Sequence, residues 1–167
     1  MGDVPLCIRP VELARDSSAV LELYRQTAEW HARTWPHDLR TPDLDRLADE
    51  LAAGSTDENA TMLVADVDGE VAGLVTGSVR EPPAGGMNRY DGPVCWIGDI
   101  VVDPSHRGHG VAGELMRAIE AWAAARGAVT VELMMHVHNE AAERLYHTGG
   151  YRQVHVQLRK DLTAPPG

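Results

Sequence analysis

The chain has 167 residues and a formal net charge of −10, which predicts one domain with a full hydrophobic core and argues against nucleic acid as the main partner. Its two cysteines, Cys7 and Cys95, lie far apart and form no CxxC pair, so we expect a reduced, cytoplasmic protein. No apolar run approaches membrane-spanning length and no charged-then-apolar leader opens the chain, so we expect neither membrane insertion nor secretion.

The first part of the chain predicts a strand followed by two helices. The strand covers Leu6–Pro10, and apolar residues at helical spacing predict a helix from Ser17 to about Trp30. Thr41-Pro42 predicts the start of a second helix, because threonine caps free amides and proline is preset for a first turn. We expect Gly54 to end this helix.

A β-hairpin is predicted next. Met62–Val67 and Val71–Val79 have the composition of strands, and Asp68-Gly69 between them suits the positive φ angles of a tight hairpin turn. The segment Arg80–Pro93 is rich in proline and glycine, so we expect a loop there.

An acidic stretch overlaps the second helix and the hairpin. Ten acidic residues lie between Asp38 and Glu70, against only Arg40 and Arg46. The ten are Asp38, Asp43, Asp45, Asp49, Glu50, Asp57, Glu58, Asp66, Asp68 and Glu70. Two interpretations stay open, namely a field that attracts a cationic substrate and a solvated helix face followed by a turn.

The segment Val94–Ala112 carries the clearest chemical signal. It combines an apolar strand, an Asp-Pro break and an Arg-Gly-x-Gly turn that opens into an amphipathic helix, which Gly127 ends. The glycines let the backbone approach a ligand closely, and the first helical turn leaves amides unpaired at the positive end of the helix dipole. This arrangement predicts a binding site for a phosphate or pyrophosphate.

Three motifs compete for this turn. Gly108–Gly113 matches the G-x-G-x-x-G of dinucleotide-binding proteins, with Glu132 at about the expected spacing. However, five residues separate the strand from the first glycine, and too little chain follows for a doubly wound sheet. A Walker-type loop is excluded because no Gly-Lys-Ser/Thr follows. The third frame is R-x-x-G-x-A, which begins at Arg107.

A second motif lies downstream. Predicted strands cover Val129–Val137 and Tyr151–Leu158, with a helix from Glu140 to Thr148 between them, and we expect the tail 161–167 to be flexible. The pattern N-x-x-A-x-x-L-Y-x-x-x-G-Y is formed here by Asn139, Ala142, Leu145, Tyr146, Gly150 and Tyr151.

Both motifs, in this order and spacing, resemble those of the GNAT N-acetyltransferase superfamily over roughly residues 94–158. The resemblance implies an α/β (α+β) fold in one domain, residues 1–160. Its mixed sheet would have about six to seven strands with splayed, parallel fourth and fifth strands, flanked by about four helices.

The resemblance also implies that acetyl-CoA is the cosubstrate. Its pantetheine arm would bind the edge of the fourth strand, at Ile100, Val101 and Val102. Its pyrophosphate would bind Arg107, Gly108, His109, Gly110, Val111, Ala112 and Gly113. Asn139 and Tyr146 would also contact the cofactor.

Acetyl transfer to an amine needs groups that move protons. Tyr146 occupies the position of the general acid in many family members. Asp99 is the candidate base, because a carboxylate among apolar strand residues has a raised pKa; some members place the acid one position earlier, here Gly98, and others have no side-chain base. Glu29 and His31 are candidates for binding the acceptor. We expect no metal, because paired histidines such as His136 and His138 lack a third ligand.

The sequence therefore predicts an acetyl-CoA-dependent N-acetyltransferase that transfers the acetyl group directly to a primary amine in a ternary complex. A non-catalytic acyl-CoA-binding or sensing domain on the same fold is the alternative. A small nicotinamide-dependent oxidoreductase is a third and weaker interpretation. The expected partner is a small-molecule or peptide amine, with a cationic acceptor and a homodimer both left open.

Overall fold

The computed structural model describes residues 6–36, 43–53, 57–82, 91–160 and 162. The chain divides into two compact units, Met1–Met134 and Met135–Gly167. Among the described residues, the first unit contains strands β1 (Leu6–Pro10), β2 (Ala60–Val67), β3 (Glu70–Arg80), β4 (Val94–Val102) and β5 (Thr130–Leu133). It also contains helices α1 (Leu13–Thr34), α2 (Leu44–Ala53) and α3 (Val111–Ala124), whereas the second unit contains α4 (Glu140–Thr148).

The five strands form one mixed sheet in the order β1-β2-β3-β4-β5. Pairing is antiparallel from β1 to β4 and parallel between β4 and β5. The predicted hairpin turn is confirmed, since Asp68 and Gly69 have φ angles of 54° and 88°. The Gly69 amide also donates a hydrogen bond of 2.8 Å to an Asp66 carboxylate oxygen, which closes the turn.

Helices cover both faces of the sheet, because alternate strand residues point to opposite faces. On one face, α1 packs Val20 and Leu23 against Val64, Leu74 and Val101. On the other face, α3 approaches closely, and a Cβ atom added at Gly77 would lie only 2.8 Å from Cδ1 of Ile119. The core therefore lies in two layers, one on each side of the sheet.

A β-bulge interrupts β4. Val75 is opposite Ile100 and Gly77 is opposite Ile97, so Gly98 and Asp99 together face the single residue Thr76. Because of the extra residue, odd-numbered residues of β4 point to one face of the sheet before the bulge and to the other face after it. Cys95, before the bulge, faces α3, whereas Val101, after it, packs under α1.

Several predicted boundaries are wrong. Helix α1 spans Leu13–Thr34 and is longer at both ends than predicted. Strand β5 ends at Leu133, and residues 151–160 form no strand, because their alternating apolar residues have no partner strand among the described residues. The described sheet accordingly has five strands, fewer than the six to seven expected.

The predicted boundary residues of the second helix, Thr41, Pro42 and Gly54, lie outside the described residues. In the described part of α2, the amide of Arg46 in the first turn donates a hydrogen bond to the Asp43 carboxylate, 3.0 Å away.

The predicted tail also lies outside the described residues, apart from Leu162. The single domain over residues 1–160 stays a prediction.

An ion-pair network joins β1, β2 and the start of α1. Arg9 donates two hydrogen bonds to Asp16, of 2.7 and 3.0 Å, and one to Asp66. The Asp16 side chain is 1% exposed and also accepts from the Glu12 amide. The Arg9 guanidinium holds the pKa of Asp16 below its usual value, against the opposing effect of burial.

We expect Asp16→Asn to lower the free energy of unfolding by about 3 kcal/mol, because it leaves the partly buried Arg9 without its main counter-charge. Since the pKa of Asp16 is lower in the folded protein, its contribution is complete above the unfolded value of about 3.9 and is lost as the pH falls further. Urea unfolding at pH 7 and pH 3 measures both effects. Equal stability of the two proteins at pH 7 would contradict this account.

Candidate active site

The pairing of the parallel strands β4 and β5 stops halfway along β4. It runs from Val94 opposite Thr130 to Ile97 opposite Leu133. Residues 98–102 continue beyond this point. Ile100–Val102 pair with β3, and no described strand lies on the other side of the section. Backbone amides and carbonyls there can accept an extended ligand as an added strand. The predicted pantetheine edge, Ile100–Val102, lies in this section.

A short 3₁₀ turn, Pro104–His106, follows β4. The Asp103 carboxylate accepts hydrogen bonds from the hydroxyl and the amide of Ser105, which lower the pKa of Asp103. Nε of Arg107 donates to the Val102 carbonyl, 3.1 Å away. These bonds hold the turn at the end of β4 and place the exposed Arg107 beside the glycines.

The N-terminus of α3 is open to an anion. Gly108 and Gly110 have φ angles of 79° and 82°, which favour glycine. Gly110 is the N-cap residue and has no side chain. The first-turn amides, which begin at Val111, therefore receive no hydrogen bond from a capping side chain. A Cβ atom at either glycine would meet no protein atom within 4 Å. The space above this backbone is therefore available to a ligand.

Asp99 lies at the bulge, and its surroundings differ from the prediction. Its side chain is exposed, so the burial expected around this carboxylate is absent. The Tyr24 hydroxyl on α1 donates to Asp99 Oδ2, 3.0 Å away, and the Asp99 amide donates to Thr76 Oγ1, 2.9 Å away. A side chain at Gly98 would collide with Thr76, because its Cβ would lie 2.9 Å from Oγ1. The space for a side chain at position 98 is therefore limited by Thr76.

The contact of Tyr24 with the candidate base Asp99 is one that the sequence did not reveal. The spacing of Tyr24 on α1 indicates only a core position. Burial raises the pKa of the Tyr24 phenol, and the negative charge of Asp99 raises it further. The phenol therefore remains protonated and keeps donating to the carboxylate.

The two acceptor-binding candidates lie near the end of α1. Glu29 is exposed and forms an ion pair with Arg25, one turn away. His31 packs against Trp30 and Trp35, with ring centroids 5.1 and 5.4 Å away. Both side chains therefore have local partners, and their roles toward an acceptor stay predictions.

The second unit contains the remaining candidates. Asn139 caps α4 by accepting a hydrogen bond from the Ala142 amide, 3.1 Å away. Tyr146 is buried, at 8% exposure, and burial raises the pKa of its phenol. His136 and His138 lie beyond β5, with ring centroids 5.6 Å apart. Among the described residues, no three potential metal ligands group together.

Part of the acidic stretch has structural partners. Asp57 pairs with Arg80 at 2.5 Å, and Asp66 pairs with Arg9 and Arg15. Asp38 and Arg40 lie outside the described residues. These contacts give Asp57 and Asp66 a structural role, and the two interpretations of the rest of the stretch stay open.

A model of the Acetyltransferase (GNAT) family matches residues 24–151. The chain belongs to this family. Like other GNAT proteins, it is an acetyltransferase with acetyl-CoA as its cosubstrate. Within the part of this GNAT protein that the structure describes, no helix has both the length and the apolar character needed to cross a membrane.

Two relatives and one solved structure illustrate the similarity. The aminoalkylphosphonate N-acetyltransferase of Salmonella typhimurium is 31% identical, over 72% of this chain and 75% of its own length. The aminoglycoside N(6')-acetyltransferase type 1 of Klebsiella aerogenes is 28% identical, over 95% of this chain and 96% of its own. A mutant of the BH1408 protein from Bacillus halodurans has the same fold, with a TM-score of 0.79 and 22% identity, over 94% of this chain and 99% of that one.

The open N-terminus of α3 leads to a prediction about ligand choice. Acetyl-CoA and coenzyme A should raise the melting temperature by mass action, because we expect their pyrophosphate to bind the helix amides and Arg107. NADH serves as the comparison, since it also carries a pyrophosphate but lacks the pantetheine arm that the β4 edge would bind. Thermal unfolding with each ligand at equal concentration measures the effect. A shift with NADH and none with acetyl-CoA would reject the assignment.

Proposed function

We propose that this GNAT protein transfers the acetyl group of acetyl-CoA directly to a primary amine in a ternary complex. One observation supports this most strongly. The section of β4 beyond its pairing with β5 carries the exposed Asp99 carboxylate and leads, within eight residues, to the candidate anion-binding turn that begins at Arg107. A candidate proton acceptor and a candidate cofactor-binding turn therefore lie on one strand and the turn that follows it.

The cofactor would extend along that strand. Ile100–Val102 would pair with the pantetheine amides, and Arg107–Gly113 would hold the pyrophosphate through helix amides and the guanidinium. Asn139 of the second unit is proposed as a further pantetheine contact, in addition to its role as a helix cap.

The chemistry would use three groups. Asp99 accepts a proton from the ammonium, directly or through water, and the freed lone pair attacks the thioester carbonyl carbon. The Val101 amide donates a hydrogen bond to the resulting oxyanion. The carbon–sulfur bond then breaks, and the thiolate takes the proton of the Tyr146 hydroxyl. The nitrogen loses its remaining extra proton, which restores the Tyr146 hydroxyl directly or through water. The products are the N-acetyl amide and coenzyme A.

The acceptor is proposed to be a small-molecule amine. Both relatives, from Salmonella typhimurium and Klebsiella aerogenes, are named for small compounds, an aminoalkylphosphonate and an aminoglycoside. Glu29 and His31 remain the proposed residues at the acceptor side. We place the protein in the cytoplasm, because Cys7 and Cys95 are both free thiols.

The test is thiol release from acetyl-CoA across a panel of an aminoglycoside, an aminoalkylphosphonate, a polyamine, an amino acid and a peptide. We expect release that depends on one class of amine, and double-reciprocal plots that intersect when both substrates vary. Release that no amine accelerates would contradict acetyl transfer to nitrogen. Parallel plots would contradict direct transfer.

A further inference from the structure

Helix α1 covers only half of the sheet face on which it packs. Under α1, Val64, Leu74 and Val101 are buried. Farther along the same face, the side chains are polar or aromatic and partly or fully exposed. We call this second half the open face, and it consists of Thr76, Ser78, Trp96 and Asp99.

The strand register places these residues together. Leu74, Thr76 and Ser78 alternate along β3 and therefore share a face. Trp96 is directly opposite Ser78 and so lies on that face. The bulge adds Asp99 to the same face, as its hydrogen bond to Tyr24 of α1 confirms. Without the extra residue, Trp96 and Asp99 would lie on opposite faces of the sheet.

Trp96 is unusual on this face. It is 38% exposed, although its strand neighbours Cys95 and Ile97 are buried on the other face. A negative charge lies on the same face, because Asp99 follows three residues later on β4. An exposed indole beside this carboxylate suits a cationic group, which gains from the ring face and from the charge.

We propose that the open face is the floor of the acceptor site and that Trp96 binds a second cationic group of the acceptor. This inference rests on the proposed function, with the reacting amine at Asp99. Trp96 lies opposite Ser78 and the bulge at Asp99 lies opposite Thr76, which is two strand steps or about 7 Å away, so the preferred acceptor is an amine whose second ammonium group lies at that distance along an extended chain. In this proposal the open face of the sheet binds the cationic group. Asp57 and Asp66 of the acidic stretch form structural ion pairs.

The test compares 1,5-diaminopentane with pentylamine, which differ only in the second amine. Initial rates of thiol release give kcat/KM for each, and their ratio is the readout. We expect the wild-type protein to prefer the diamine, and Trp96→Ala to lower this preference about tenfold. Trp96→Phe, which keeps an aromatic face, should retain part of it.

The matched control is Trp122→Ala. Trp122 lies on α3, under the guanidinium of Arg126 at 4.2 Å, and packs on the opposite face of the sheet. Its removal should leave the ratio unchanged. Acetyl-CoA affinity, measured by calorimetry, should be equal in the wild-type protein and the three variants. Equal affinity would show that each variant is folded.

The outcomes separate the two proposals. If the wild-type protein acetylates these amines but Trp96→Ala keeps the wild-type ratio, the inference about Trp96 is wrong and the proposed function stands. An equal fall of the ratio in Trp122→Ala also overturns the inference. If neither these two amines nor any amine of the wider panel is acetylated, the proposed function fails and the inference fails with it.

Discussion

Tyr146→Phe should lower kcat about 100-fold, which is the typical contribution of a positioned general acid. The thiolate of coenzyme A would then leave without a proton donor. An unperturbed tyrosine is already protonated at neutral pH, and burial raises the pKa of the Tyr146 phenol further, so the phenol has a proton to donate. The ring itself remains in the variant, so acetyl-CoA affinity should change little.

Tyr151→Phe is the matched control. The rings of Tyr146 and Tyr151 lie 5.8 Å apart, so the same atom is removed from a neighbouring position. Steady-state rates with a saturating amine, together with calorimetric titration of acetyl-CoA, separate turnover from binding. An unaltered kcat in Tyr146→Phe would show that another group protonates the thiolate, whereas an equal loss in both variants would indicate a packing effect.

Gly110→Val should weaken acetyl-CoA binding roughly 100-fold, because the new side chain occupies the space in which the pyrophosphate approaches the helix amides. The added Cβ would meet no protein atom within 4 Å, so the loss would not arise from a clash within the protein. The positive φ of 82° adds a cost in stability of about 1–2 kcal/mol.

Gly127→Val is the matched control that separates a loss of acetyl-CoA affinity from a loss of stability. Gly127 follows α3, has a φ of 77° and also has no protein atom near its missing Cβ. Both variants should lose similar stability in urea unfolding, but only Gly110→Val should lose affinity in calorimetric titration. If the two proteins bind acetyl-CoA equally well, the pyrophosphate does not lie at this turn.

The features that the sequence predicted correctly are local. The hairpin at Asp68-Gly69 and the strand and helix around Arg107 depend on glycine conformations and on apolar periodicity within about fifteen residues. The predicted helix from Glu140 to Thr148 is equally local, and the Asn139 side chain caps it. Family membership followed from two such motifs because each is encoded in a short segment.

The features that were missed depend on contacts distant in sequence. At the bulge, two residues of β4, Gly98 and Asp99, lie opposite the single residue Thr76 of β3. The sequence of β4 alone does not indicate this pairing. The hydrogen bond from Tyr24 to Asp99 joins residues 75 positions apart. The alternating apolar residues of 151–158 predicted a strand, but alternation does not provide a partner for its hydrogen bonds.

Product analysis with isotopically labelled acetyl-CoA tests the central claim most directly. The protein is incubated with the labelled cosubstrate and the best amine of the panel, and protein and small molecules are then analysed by mass spectrometry. Direct transfer predicts that the label appears as an amide on the amine, in the same amount as the released thiol, with none on the protein. Label on the protein, or label released as free acetate without the amide, would contradict the account.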